Sequence, residues 1–188
     1  QRRLYGIGIR TVDDMAQADV NDLQSRLEDW PFDKIIHFSN QAKILVSNQP
    51  LVLRKPNFPE VEHEIYFDIE SDPTRDIYYL LGILIKNVKT NQIEYKAFLA
   101  KDKSKEGDNW KDFLNFLGAL SDFVIYYYGY YEKEIFDRLS IKYGASIALA
   151  DKFKENTIDL HTRLVDAVVL PLYFYSLKDV AGYLGYKW

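Results

Sequence analysis

The stretch EHEIYFDIESD, residues 62–72, sets two acids two positions apart inside a run of strand-forming residues. Ile65, Tyr66, Phe67 and Ile69 cluster at strand length, so residues 64–70 read as a β-strand. Successive side chains of a strand point to opposite faces, which puts Asp68 and Glu70 on one face with Cα atoms roughly 6.5 Å apart. The other face, Ile65, Phe67 and Ile69, is apolar and calls for burial. Carboxylates that close repel each other unless a cation or proton intervenes, and paired hard oxygen ligands suit Mg²⁺ or Mn²⁺. The residues alone therefore point to a metal-dependent phosphodiesterase centre.

Around this strand the chain falls into three parts. Residues 1–47 read as a small helical unit: Thr11 followed by Asp14 resembles a capping arrangement, and residues 32–47 carry a loosely amphipathic apolar stripe. GIGIRT resembles the hairpin of helix-hairpin-helix DNA-binding units, in which Gly6 and Gly8 would let backbone N–H groups approach a phosphate. The alternative for the same residues is a plain Gly-rich turn before a capped helix. Residues 48–61 hold Pro50, Pro56 and Pro59 and read as an extended linker.

Residues 62–188 read as an α/β domain. Strands at 64–70, 77–85 and 93–99 are joined by short turns, an antiparallel meander. A charged loop then leads to a helix over 109–120, a strand over 122–127, and a helix over 132–143 with Ile135, Phe136, Leu139 and Ile141 expected inward. A short strand at 157–160 and helical segments after His161 and over 176–184 complete the chain. Three meander strands followed by two parallel strands with crossover helices is the order of a ribonuclease H-like mixed five-stranded sheet flanked by helices.

With strand order and acid pair together, the chain resembles the YprB-like ribonuclease H-like domain of predicted RecB-family nucleases, a branch of the DEDD exonuclease superfamily. The resemblance rests on QAKILV, EIYFDIESDP, YYLLGILI, IYYYGYYEKEIFDRL, TIDL and SLKDVAGYLGY, with FDIE the most specific element. It implies that Asp68 and Glu70 hold two metal ions, Mg²⁺ or Mn²⁺, that drive phosphodiester hydrolysis. The superfamily's second aromatic-acid pair corresponds to Tyr131 and Glu132, with glutamate in place of the usual aspartate; Asp159 corresponds to an acidic position that supports the site. The superfamily's last aspartate has no counterpart here and is expected to fall after Trp188. Lacking it, the fragment is expected to be short of one metal ligand. Tyr128, Tyr130 and Tyr131 are candidate base-stacking contacts, whereas Tyr126 or Tyr127 belongs to the core. His161 has no visible partner and is expected to face solvent.

Composition excludes several classes. With 47% hydrophobic and 15% aromatic residues, wholesale disorder is excluded. The formal charge of −4, from 24 basic and 28 acidic residues, makes no global electrostatic case for nucleic acid, although a carboxylate-metal enzyme can be acidic overall. The absence of cysteine removes disulfides, thiolate zinc and a cysteine nucleophile, and accords with a cytoplasmic location. No apolar run approaches the ~18 residues of a membrane span. Gln1 at the start and an unfinished motif at Trp188 suggest a piece of a longer protein. The leading expectation is a 3′–5′ exonuclease-like domain acting on single-stranded DNA or RNA or on ends, alongside further domains of the same chain. Its rivals are a catalytically incomplete nucleic-acid-binding or structural module of a larger helicase or nuclease, and a carboxylate-pair hydrolase acting on sugars.

Overall fold

A computed structural model describes residues 2–187 of the protein. The chain divides into two compact units, Gln1–Pro56 with Leu164–Trp188, and Asn57–Arg163.

In the first unit the helices α1 (Arg2–Gly6), α2 (Val12–Gln17), α3 (Val20–Arg26) and α4 (Phe32–Ser47) follow one another. The expected cap of α2 forms: the Asp14 N–H donates to the Thr11 hydroxyl at 3.0 Å, and the Thr11 N–H to the Asp14 carboxylate at 2.8 Å. That reciprocal pair satisfies two N–H groups that the first helical turn leaves without partners. Met15, Leu23, Leu27, Ile35 and Ala42 bury one another. A two-residue strand, β1 (Leu51–Val52), lies inside the proline-containing stretch and pairs antiparallel with Val168 and Val169.

The second unit is built on a five-stranded sheet. β2 (His63–Asp72), β3 (Ile77–Asn87) and β4 (Ile93–Leu99) form the expected antiparallel meander. Then come α5 (Glu106–Ala119), β5 (Phe123–Tyr127), α6 (Tyr131–Tyr143), α7 (Ile147–Glu155), β6 (Thr157–Asp159) and the start of α8 (Leu160–Ala167), whose residues from Leu164 belong to the first unit. The order β4-β3-β2-β5-β6, with β5 parallel to β2 and β6 parallel to β5, puts the acidic strand at the centre. Its apolar face packs with Leu81, Ile83, Phe123 and Ile125 against Trp110, Phe113, Leu117, Ile135, Phe136 and Phe153. Phe136 stacks on Phe153 at 3.7 Å, and Phe67 on Phe113 at 5.2 Å. The first unit also holds α9 (Leu177–Tyr183), capped by Ser176 as expected, and Gly185 follows at φ 88°, a conformation open to glycine.

Three local expectations are corrected. Ile141 is 86% exposed rather than inward, because it stands two positions beyond Leu139 and so about 200° around the helix from it. The helix α7 was not legible: its run IALADKFKE buries only Phe153 deeply, too thin a stripe to announce itself, although Ser146 caps it. The helix expected from 109 starts at Glu106, inside the charged run, and that residue is not solvated. Glu106 is buried, accepting from the Tyr78 N–H at 2.7 Å and from Lys142 Nζ at 2.6 Å. No helix among the described residues is long and apolar enough to cross a membrane.

Phe136 sits at the crossing of α6, α7 and the sheet. Phe136→Ala is expected to cost about 3–5 kcal/mol through lost packing and the cavity it leaves, read as a lowered urea midpoint; a loss below 1 kcal/mol would show that this stack does not hold the core.

Candidate metal and nuclease site

Alternation along β2 places Tyr66, Asp68 and Glu70 on the exposed face while Ile65, Phe67 and Ile69 are buried. Asp68 lies opposite Gly82 and Glu70 opposite Leu80, after which a bulge between Glu70 and Ser71 turns the strand end. The two acids that the sequence paired on one face are therefore on one face.

Glu132 is brought within electrostatic reach of Asp68 by the chain's course after β5. β5 is parallel to β2, so its C-terminal end lies on the same side of the sheet as the C-terminal half of β2. Gly129 then turns the chain at φ 94°, which favours glycine, and α6 starts at Tyr131. The Tyr131 hydroxyl hydrogen-bonds the Ser71 hydroxyl at 2.8 Å, tying the start of α6 to the end of β2. Sequence reasoning missed Ser71, although it directly follows the acid pair.

Glu132 does not lie exposed at its helix terminus, as a residue merely complementing the helix dipole would; only 6% of it is accessible. Its Oε2 has no hydrogen-bond partner. Burial pushes its carboxyl up to about 7, opposed by a bond from its own backbone N–H, and the negative charges of Asp68 and Asp159 add to the rise. Among the described residues none of Asp68, Glu70, Glu132 and Asp159 joins an ion pair. A buried acid with a free oxygen, facing like charges and no basic side chain, is a donor set suited to a hard divalent cation. Equally, among the described residues no three Asp, Glu, His or Cys side chains stand together at ligand spacing.

Asp159 is fixed from three sides. Its Oδ1 accepts from the Gly129 N–H at 2.8 Å and the His161 N–H at 2.9 Å, and its Oδ2 from the Thr162 hydroxyl at 2.7 Å. Those bonds tie the β6 end to the turn that launches Glu132. His161 is partly buried, edge-on to Tyr128 at 5.4 Å, instead of facing solvent. Tyr126 and Tyr127 are both buried, while Tyr130 is exposed and Tyr131 lies at the border. Gly6 and Gly8, in the first unit, have open space where a side chain would stand, and Gly8 has φ 90°.

A family model described as RNase H superfamily matches residues 65–188. No curated protein and no solved structure matches the chain.

The raised carboxyl of Glu132 has a sign that can be checked. Between its ordinary 4.5 and about 7 the folded state binds a proton that the unfolded state has lost. Its contribution to stability is therefore complete below pH 4.5 and falls away as pH rises to 7, by about 3 kcal/mol in all. In EDTA, Glu132→Gln is expected to remove this slope and to be more stable than the natural chain at pH 8, as read by urea denaturation across pH 4–8; an unchanged slope would refute the assignment.

Proposed function

Because the chain belongs to the RNase H superfamily, we propose that it is a divalent-metal-dependent nuclease domain that hydrolyses phosphodiester bonds of DNA or RNA. The observation that carries the reading is Glu132: a buried carboxylate with an unpartnered oxygen, within electrostatic reach of Asp68 and Asp159, in a set of acids lacking basic partners. Asp68, Glu70 and Glu132 would hold Mg²⁺ or Mn²⁺. When bound, such ions supply Lewis-acid activation of a water and stabilisation of the leaving oxygen. Asp159 positions Gly129, and through it the start of α6, rather than binding metal itself.

The finer assignment follows the sequence resemblance: a YprB-like, RecB-associated member of the DEDD group, acting 3′–5′ on single strands or ends. Tyr128 and Tyr130 precede α6 and Tyr131 opens it, next to Glu132, and these rings are the proposed stacking contacts for bases. Gly6 and Gly8 of the first unit have open space where a side chain would stand, but the Gly8 N–H already donates to the Tyr5 carbonyl at 3.1 Å and is not offered to a phosphate. A second reading is a nucleic-acid-binding module without turnover. It is favoured by the glutamate at position 132 and by the lack of three acids at ligand spacing among the described residues.

End-labelled single-stranded DNA and RNA incubated with the protein and Mn²⁺ decide between the two. Stepwise shortening from the 3′ end, abolished by EDTA and lowered on the order of a hundredfold or more by Asp68→Ala or Glu70→Gln, is the expected result. Full activity in Asp68→Ala would refute its role, and binding without any shortening would favour the second reading.

A further inference from the structure

Cross-strand register builds two adjacent rows on the acidic face of the sheet. Asp68, Gly82 and Ala97 form one; Tyr66, Leu84 and Tyr95 form the next. Strands lie about 4.8 Å apart and same-face rows about 6.6 Å apart, so Tyr95 begins two strands and one row away from Asp68. Its phenol closes part of that gap by leaning diagonally onto Gly82: a Cβ built there would meet the Tyr95 hydroxyl at 3.0 Å and the Asp68 carbonyl oxygen at 3.7 Å. The hydroxyl thus lies in the row of Asp68, on the neighbouring strand. The rest of the ring stays open, with Tyr95 62% and Tyr66 40% exposed.

At the far end of the same face, Leu99 lies in the row of Glu70 and Leu80 and borders a cavity of about 780 Å³. Arg75, Lys101 and Lys103 also line it, together with Asp72 and Asp102. Arg75 pairs with Asp72, and Lys103 with Asp76 and Glu106. Lys101 joins no ion pair among the described residues. Along β4 the distance from Tyr95 to Leu99 is about 13 Å, the span of a few nucleotides. An aromatic surface at Tyr95, the rows of Asp68 and Glu70, and the cation Lys101 just past the end of β4 therefore follow one another.

We propose that this face is the path of one unpaired nucleic-acid strand, with a base stacked on the Tyr95 ring and a backbone phosphate beside Lys101, so that the intervening backbone passes the rows of Asp68 and Glu70. The inference rests on the nuclease reading for what happens at the acids, but the binding it describes does not require turnover. An unpaired base offers its π-face to a tyrosine, whereas a base inside a duplex has both faces covered by its neighbours, so the path selects single strands. The competing role for Tyr95 is purely structural, an aromatic ring shielding a strand glycine. Gly82 separates the two roles, because an added methyl there displaces only the tip of a flexible side chain.

The test is equilibrium binding, in EDTA, of a fluorescein-labelled oligothymidylate and of a blunt hairpin duplex to the intact chain and its variants. The single strand is expected to bind more tightly than the duplex. Tyr95→Ala should weaken it roughly tenfold and leave the duplex nearly unaffected, and Tyr95→Phe should keep most of the affinity. Gly82→Ala should weaken single-strand binding several-fold with the urea midpoint in place, and Lys101→Gln should reduce the salt slope by about one. Equal affinity for both ligands, no binding of the single strand, or a Tyr95→Ala variant that loses stability but not affinity would each overturn the path. Loss of hydrolysis with Tyr95-dependent binding retained would overturn the nuclease reading alone; hydrolysis with Tyr95-independent binding would overturn this proposal alone.

Discussion

The alternation of side chains along the central strand is the constraint on which the site depends. Ile65, Phe67 and Ile69 go into the core beneath α5, α6 and α7, and burial of each such side chain contributes about 1.5–3 kcal/mol. A slip of one residue would exchange the faces, exposing those three and pushing Asp68 and Glu70 into an apolar interior without partners. The packing that stabilises the sheet therefore also fixes where the acids stand. Because the strand is central, it has an antiparallel neighbour on one side and a parallel one on the other. The parallel neighbour leads, through the Gly129 turn, to Glu132.

The protein buries two glutamates, and their surroundings separate structure from chemistry. Glu106 is compensated: Lys142, the Tyr143 hydroxyl and the Tyr78 N–H all bond to it, and Lys103 stands at 3.6 Å. That cluster links α5, the end of α6 and the start of β3, and its charge needs nothing further. Glu132 has no cation beside it, an oxygen without a partner, and two like charges within reach. Leaving a charge buried and uncompensated costs several kcal/mol, so the carboxyl holds its proton up to about pH 7. Such an arrangement weakens the apo fold at neutral pH and favours whatever brings positive charge to it.

How much of this was legible in the sequence depended on whether the signal was local. The strand of Asp68 and Glu70 could be read because hydrophobic alternation and two acids sit within eleven residues, and the meander followed from short turns. One of Tyr126 and Tyr127 read as core because they belong to an apolar strand, and both are buried. The burial of Glu132, by contrast, depends on a helix start being drawn against β2 by the Tyr131–Ser71 bond, a contact sixty positions apart along the chain. Glu106 was hidden for the same reason, in a charged run whose partners lie on α6 and β3. The placement of Tyr95 over Gly82 required the strand register itself, since nothing in IEYKAFL distinguishes its tyrosine from any other on an edge strand.

The central claim is that the uncompensated acids around Glu132 form a cation site, and the most direct measurement is Mn²⁺ titration by calorimetry in buffers of different ionisation enthalpy near pH 7. The account predicts saturable binding accompanied by proton release as the Glu132 carboxyl gives up its proton, with both signals lost in Asp68→Asn. Absence of saturable binding, or binding that releases no proton and survives the substitution, would contradict it.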